Sequence, residues 1–556
     1  MKALLIGINS KYIHPSVALY QLRANTTYEC DLIELTIKDS NDKCIEKIKQ
    51  FDLMEYNLVA CSCYLWNIDK YLEIVPILKK LNPSLKFVFG GPEVAYDAKY
   101  FLTNFSYIDY ILEGEGEESF DELCRYLDHK LAITEVSNLH YRGSDSINFT
   151  YPKHPDLTKI KLATLDILDY KNRIIYLESS RGCPYHCSYC TASLDNKVRY
   201  FPLQKVLDIL YVLMENETKV VKFLDRTFNA NFDYMMRILD FIDEHNKCTV
   251  FQFEVVGELV KKETIERIRN LKFKYLRFEI GIQSTNDKVN LAVCRRQNMP
   301  KLKENIYLLN QTNKVDLHID LIAGLPYETK DSFISSFDEA FLLRGKELQL
   351  GFLKFLRGTK LLDSIEEHEY TYSEKAPYEI ISNKYMTHED LEEIECVEQS
   401  LNRYYNSGIC PKLFDYLINN NLVASFYSFF LGLYKDISHY QKDELFKILD
   451  DYLLLVFPDN YNYLHYLLLI DYLGNYKVKP KIWWNYERIE NRESLFKMIC
   501  ELHPTLSMEL LYRYSVILTY EDNLFLIIYK DFKTISYTFK REKDIGSIKS
   551  FEILRF

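Results

Sequence analysis

The sequence predicts an α/β protein in three parts: a doubly wound, Rossmann-like N-terminal domain, a central partial (β/α)6 barrel and a mostly α C-terminal domain. Three observations carry this. Short apolar runs alternate with amphipathic segments up to about residue 130, the same alternation resumes from 174 to 359, and helix-rich sequence dense in Leu, Tyr and Phe follows from about 375. A chain of 556 residues also exceeds what one hydrophobic core accommodates, so two to three domains are expected.

In the first part, strands are expected at 2–8, 31–35, 57–63, 86–91 and 107–114, with helices between them such as 68–81, where apolar residues recur near helical spacing. Such alternation predicts a parallel sheet with helices on both faces, whose ligands bind outside the strand carboxyl ends. We place this domain at 1–135 and a linker at 136–170, a polar stretch with Gly143, Pro152 and Pro155. The barrel is expected at 171–370, with strands at 173–180, 219–225, 248–256, 275–283, 315–324 and 347–356. Its active site is expected at the strand carboxyl ends. The helix-rich remainder, 371–556, carries no chemical motif; a hairpin is expected from 515, with Asp522 and Asn523 at its turn. Trp483 and Trp484 read as core aromatics.

Bulk properties exclude several classes. Apolar residues at 47% and charged residues at 27% argue against long disordered stretches. A net charge of -11 argues against broad electrostatic capture of nucleic acid and favours a small-molecule or peptide substrate. The apolar run after Lys2 is interrupted by Asn9, Ser10 and Lys11, too soon for a secretory leader, and no apolar run approaches membrane-spanning length. Thirteen cysteines, three of them within eight residues, fit thiols kept reduced to bind metal, hence a cytoplasmic location.

Those three are Cys183, Cys187 and Cys190 in Arg181-Gly-Cys-Pro-Tyr-His-Cys-Ser-Tyr-Cys190, with three and then two residues between them. Thiolates this close can wrap one metal centre, and three of them leave one iron of a 4Fe–4S cluster open for chemistry. Zinc is the alternative, and His186 would be its fourth ligand.

The spacing resembles that of the radical S-adenosylmethionine (SAM) superfamily. The resemblance implies that SAM chelates the open iron and is cleaved to a 5'-deoxyadenosyl radical, with an electron from a donor such as flavodoxin or ferredoxin. Tyr189, before the last cysteine, matches the position that meets the adenine. Asp225-Arg-Thr-Phe-Asn229 stands where the family usually has Gly-Gly-Glu, and is similar to the segment of a cobalamin-binding subgroup; Asp225, Arg226 and Asn229 are thereby SAM candidates. Glu254, Glu279 and Gln283 fall where polar groups would hold SAM, with ordinary barrel-lining polarity as the alternative. Gly324-Leu-Pro326 resembles the turn beside the adenine.

The N-terminal part resembles the cobalamin-binding domain of that subgroup, which also carries a C-terminal helical domain of unknown function. The matching residues are Ser62, Tyr64, Trp66 and Asn67 after the third strand, Gly90, Gly91, Pro92 and Glu93 after the fourth, and Gly114, Glu115, Gly116 and Glu117 after the fifth. Glycine pairs let backbone approach a bulky ligand closely. Taken singly, each segment reads equally as a turn or as packing. The Asp-x-His-x-x-Gly loop that supplies a lower cobalt ligand does not occur; His14 lies in the corresponding loop and reads as a solvent or structural histidine.

The implied function is radical methylation of an unactivated carbon or phosphorus by a cobalamin-dependent enzyme. Three rivals stand beside it: a non-methylating rearrangement or cyclisation, methylthiolation of tRNA, and a non-catalytic cobalamin or redox-sensing module. The tRNA reading requires a second cysteine-bound cluster in the N-terminal domain, for which Cys30, Cys44, Cys61, Cys63 and Cys124 are available, and a basic tail that the sequence lacks. Buried thiols are the simpler reading of these cysteines.

Overall fold

The computed structural model describes the chain except for residues 168–170, 485–491, 503, 521–522, 530–534, 542–547 and 556. It comprises two compact units, Met1–Leu391 and Glu392–Phe556.

The first unit opens with five parallel strands, β1 Lys2–Asn9, β2 Glu29–Thr36, β3 Leu58–Ser62, β4 Lys86–Gly90 and β5 Tyr110–Leu112. Along β1, Leu4, Ile6 and Ile8 enter one apolar layer while Ala3 and Leu5 enter another. Side chains alternate between the faces of a strand, so a sheet buried on both sides requires the continuous apolar run that β1 has. The helix Ile68–Leu81 buries Ile68, Tyr71, Ile74, Val75 and Leu78, the stripe its spacing predicts. The expected linker is partly structured: β6 Leu139–Arg142 and β7 Ile147–Phe149 extend the sheet antiparallel, in the order β2-β1-β3-β4-β5-β6-β7. Its polar composition hides them because they form the solvated edge of the sheet.

The barrel begins with β8 Ile175–Leu177 and a short antiparallel pair, β9 Ser180–Arg181 with β10 Arg199–Tyr200. It continues through β11 Val220–Phe223, β12 Val250–Glu254, β13 Leu276–Gln283, β14 Val315–Ala323 and β15 Glu347–Phe352. These form an open six-stranded parallel sheet in the order β15-β14-β13-β12-β11-β8. In β13, Leu276, Phe278, Ile280 and Ile282 are buried, whereas Arg277, Glu279 and Gln283 are half-buried on the other face. Glu279 and Gln283 on that second face line a cavity.

Residues 371–391, expected in the C-terminal domain, belong to the first unit, where β16 Thr371–Tyr372 and β17 Ile380–Ser382 form a hairpin. The second unit is helical up to Met508–Tyr514, and its core includes Trp483, 5% exposed and stacked on Phe446. Trp484 is half-buried. The end of the chain holds more than the expected hairpin: β18 Ser515–Tyr520, β19 Asn523–Ile528, β20 Ile535–Arg541 and β21 Ile548–Arg555 form one antiparallel sheet. Asp522 lies outside the described residues, and Asn523 is the first residue of β19.

Candidate active site

The loop after β9 presents the three cysteines. Gly182 has φ +87°, and a Cβ there would lie 2.5 Å from the carbonyl oxygen of Lys197, so only glycine fits this turn. Backbone bonds then fix the loop: Cys183 N donates to Asp195 O at 2.9 Å, Ser188 N to Val293 O at 3.0 Å, and Leu361 N to Ser188 O at 2.9 Å. Cys183, Cys187 and Cys190 are free thiols that line one cavity of about 180 Å³. Thr227 Oγ1 lies 3.6 Å from Cys183 Sγ, and Arg295 Nη1 lies 3.8 Å from Cys187 Sγ.

The geometry suits a cluster better than one ion. Three Zn–S bonds of about 2.3 Å in a tetrahedron place the sulfurs roughly 3.8 Å apart. Among the described residues, the only trio of metal-type ligand atoms mutually within 4.8 Å is Glu115, His154 and Asp195, so the three thiols do not all stand within that distance of one another. His186, the fourth ligand a zinc reading requires, is exposed and does not line the cavity.

Of the expected SAM contacts, Tyr189, Arg226, Glu254, Glu279 and Gln283 line this cavity. Glu279 accepts from Lys222 Nζ at 3.2 Å and Gln252 Nε2 at 2.9 Å; Arg226 pairs with Glu254 at 3.5 Å. Among the described residues, Gln283 Oε1 and Asp320 Oδ1 are sealed from solvent without a hydrogen-bond partner, and both residues line the cavity. Burial and the neighbouring Glu279 and Glu254 carboxylates push the Asp320 carboxyl well above its usual range. Orphaned groups of this kind fit a site that a polar ligand completes.

Asp225, Asn229 and Gly324 are not brought to the cavity. Asp225 is 1% exposed and accepts from Ser179 N at 2.9 Å, Ser179 Oγ at 2.6 Å and Ser180 Oγ at 2.5 Å, while burial pushes its pKa up to about 6. Asn229 bonds both the N–H and the carbonyl of Val256. Gly324, at φ +89°, is capped by Tyr370 and Asn383. All three are taken up by the protein's own groups. Sequence reasoning missed Arg295, Thr227, Lys222 and Asp320. The last two were within reach, since they occupy half-buried positions of β11 and β14.

At the carboxyl edge of the N-terminal sheet, Ser62, Tyr64, Gly90, Gly91, Pro92, Gly114, Glu115 and Gly116 line a second cavity of about 510 Å³. Gly91 has φ +108°, and a Cβ there would lie 2.5 Å from Cys63 O. A third cavity of about 610 Å³ is lined by Trp66, Asn67 and His14 and shares Ser62, Tyr64 and Asp195 with the second. Its other end shares Ala192, Arg226 and Glu254 with the cysteine cavity. Through these shared lining residues the three cavities adjoin as one tract between the sheet edge and the thiols.

Within it, Trp66 is 49% exposed and stacks on Tyr64 at 4.5 Å and 4°. Asn67 is a scaffold residue, its amide bonded to Ile8 O and Ser62 O. Glu93 stays outside all three cavities, 3% exposed and bonded to Arg357 and Tyr378. His14 Nδ1 sits 2.8 Å from Tyr176 Oη, and burial, with Lys11, Lys222 and Arg173 nearby, lowers its pKa.

Ion pairs join the N-terminal domain to the barrel. Arg181 binds Glu115 at 2.7 Å, Glu117 at 2.5 Å and Glu178 at 2.8 Å; Arg199 binds Glu115 and Asp195; Arg173 binds Glu34 at 2.7 Å. Glu117 and Arg173 are among the most buried of these, and such charges are tolerated only when paired.

Comparison with known proteins gives the class. Residues 177–340 match the radical SAM superfamily, residues 4–124 the B12 binding domain, and residues 366–516 a protein family of unknown function (DUF4080). The chain thus carries a radical SAM domain between a B12-binding domain and a DUF4080 region. Among curated proteins it is 26% identical over 319 residues to the cobalamin-dependent radical SAM methyltransferase TokK of Streptomyces tokunonensis, covering 50% of this chain and 44% of TokK. It is 25% identical to an uncharacterized methyltransferase, PH0819, of Pyrococcus horikoshii, over 56% of this chain and 68% of that one. The chain thus spans less than half of TokK. Its fold is that of the cobalamin-dependent SAM radical enzyme OxsB, solved with aqua-cobalamin and SAM bound, at TM-score 0.60 and 13% identity over 84% of this chain and 78% of OxsB. The methyltransferase TsrM of Kitasatospora setae, with cobalamin and a [4Fe-4S] cluster bound, gives TM-score 0.56 at 14% identity, over 66% of this chain and 74% of TsrM.

Proposed function

We propose that the chain is a cobalamin-dependent radical SAM enzyme that methylates an unactivated centre of a small-molecule or peptide substrate. The observation that carries this reading is the tract of adjoining cavities, joined by shared lining residues, from Gly90, Gly91 and Gly114 to the three cysteines. A group delivered from one cofactor to a substrate activated by the other needs such a path. Cys183, Cys187 and Cys190 would hold the 4Fe–4S cluster. Tyr189, Arg226, Glu254, Glu279, Gln283 and Asp320 would face SAM. Ser62, Tyr64, Trp66 and the glycine loops would face cobalamin. When bound, the cluster and SAM supply a 5'-deoxyadenosyl radical, and methylcobalamin supplies the methyl group.

The chain's own residues do the rest. Arg295 places a guanidinium beside Cys187 and so offsets thiolate charge. Tyr64 and Trp66 give the tract an aromatic wall. His14, with its pKa lowered, stays neutral at pH 7 and is held by Tyr176. The ion pairs around Arg181 hold the two domains together over the tract, which restricts water where a radical is made.

The buried-thiol reading of the N-terminal cysteines is favoured over tRNA methylthiolation: Cys61 and Cys63 are 2% and 0% exposed, with Cys63 Sγ donating to Cys61 O, Cys44 and Cys124 are buried, and Cys30 is half-buried. Flavodoxin or ferredoxin is the proposed electron source and the cytoplasm the proposed location; among the described residues no helix is long and apolar enough to cross a membrane. We place the cobalamin domain at 1–135 and the barrel at 171–370. Anaerobic incubation with SAM, methylcobalamin and a reductant tests the function. Release of 5'-deoxyadenosine together with a substrate gaining one methyl is expected. Deoxyadenosine without methyl transfer would favour rearrangement or cyclisation.

A further inference from the structure

The DUF4080 match begins at residue 366, yet residues up to Leu391 belong to the first compact unit. At the base of this segment, two side chains close on the turn that ends β14. Tyr370 Oη donates to Gly324 O at 3.2 Å, and Asn383 Nδ2 donates to the same oxygen at 2.9 Å. Ile380 covers the glycine so closely that a Cβ on Gly324 would lie 2.6 Å from its Cδ1. At the tip, Tyr378 Oη donates to Glu93, and Arg357 spans both, with Nη2 3.1 Å from Tyr378 Oη and Nε 2.9 Å from Glu93 Oε1.

The body between base and tip is built stiffly. Ile380 N donates to Leu353 O and Phe355 N to Tyr378 O, each at 2.9 Å, so the hairpin is stitched to the segment leaving β15. Phe355 stacks on Tyr372 at 4.3 Å and meets Tyr370 edge-on at 4.9 Å. Tyr370, Tyr378 and Ile380 are 6%, 8% and 6% exposed. Packed side chains at this density transmit displacement instead of absorbing it.

We infer that the hairpin of residues 370–383 is a strap that fixes the SAM-side turn at Gly324 relative to the cobalamin-side loop at Glu93, and so couples the two cofactor sites. This rests on the proposed function. Gly324 closes β14, the strand that places Asp320 in the cysteine cavity, and Glu93 follows the Gly90-Gly91 pair that lines the glycine-edge cavity. One hairpin therefore touches the turn that follows the strand of Asp320 and the loop that follows the cavity-lining glycines. Glu93 also depends on it: burial raises its pKa, while Tyr378 and Arg357 act to keep it ionised. The first residues of a region with no known role thereby act as a connector within the catalytic unit.

The test uses full-length, cluster-reconstituted protein and two probes, hydroxocobalamin followed by absorbance and SAM followed by equilibrium dialysis. Asn383→Ala alters the base, and Tyr378→Phe removes one hydroxyl at the tip. Each is expected to weaken the far cofactor as well as the near one: Asn383→Ala lowers hydroxocobalamin affinity, and Tyr378→Phe lowers SAM affinity, each by about fivefold or more. Thermal melting separates this from unfolding. Variants that weaken only the near cofactor, or that melt lower with both affinities unchanged, overturn the strap. Wild-type protein that binds neither probe would overturn the proposed function and the strap with it.

Discussion

Arg181 and Glu115 meet at 2.7 Å, one residue from the barrel and one from the N-terminal domain. Arg181 directly precedes Gly182-Cys183, and Glu115 stands between Gly114 and Gly116, so a single ion pair joins the cysteine loop to the glycine loop. Glu117 and Glu178 complete the shell of the same guanidinium. Removing it takes the guanidinium from the buried Glu117 and the half-buried Glu178, while Glu115 keeps Arg199. Arg181→Ala is expected to lose about 3–5 kcal/mol of stability, read as a lower denaturation midpoint with loss of hydroxocobalamin binding. Arg181→Lys recovers little, because an ammonium lacks the planar fork that reaches three carboxylates. A midpoint unchanged in the alanine variant would show that the pair does not hold the domains.

Gly91→Ala tests the glycine edge. Its φ of +108° and the 2.5 Å approach to Cys63 O both exclude a side chain. A cost of roughly 1–3 kcal/mol in backbone strain is expected, together with a weaker affinity for hydroxocobalamin and unchanged iron content. Iron lost to the same degree as cobalamin would show that the damage is global.

Glu328 sets a pH dependence. Its carboxyl is 0% exposed, Ser284 and Ser336 donate to one oxygen, and burial raises its pKa to about 8. A carboxyl raised above its unfolded value of about 4.3 keeps its proton in the folded state while the unfolded chain loses it. Its contribution is therefore full below about pH 4.3 and is lost as pH rises towards 8, at about 1.4 kcal/mol per unit at most. Glu328→Gln carries no such titration, so the melting temperature of the variant should gain on wild type from pH 5 to 8. A constant difference across that range would refute the assignment.

Asp320→Ala removes the orphaned carboxyl from the cysteine cavity. A higher KM for SAM is expected, with iron content unchanged, because the residue faces the cavity and is not among the thiols. An unaltered KM would assign Asp320 to wall structure alone.

Much of this was legible in the sequence, for physical reasons. β1 and the helix Ile68–Leu81 announce themselves because burial on both faces, or along one stripe, forces an apolar pattern. The cysteine loop was legible because its spacing is chemically constrained. Glu93 and Glu115 show the limit. Both stand in loops that a ligand would use, but Arg357 and Tyr378 claim the first, and Arg181 and Arg199 the second, from far along the chain. Asp225 and Asn229 likewise turn to backbone and hydroxyl partners that spacing does not reveal. β6 and β7 escaped because they are only four and three residues long and half-buried or exposed at most positions, so neither needs an apolar run.

The central claim is that one chain holds a cysteine-bound cluster and cobalamin at the two ends of a single tract. Iron and cobalt content of anaerobically reconstituted, cobalamin-supplemented protein tests it most directly. About four iron and one cobalt per chain are expected, and replacing Cys183, Cys187 and Cys190 by Ala should remove the iron while leaving the cobalt. Iron that survives the replacement, or wild-type protein that retains only one of the two metals, would contradict it.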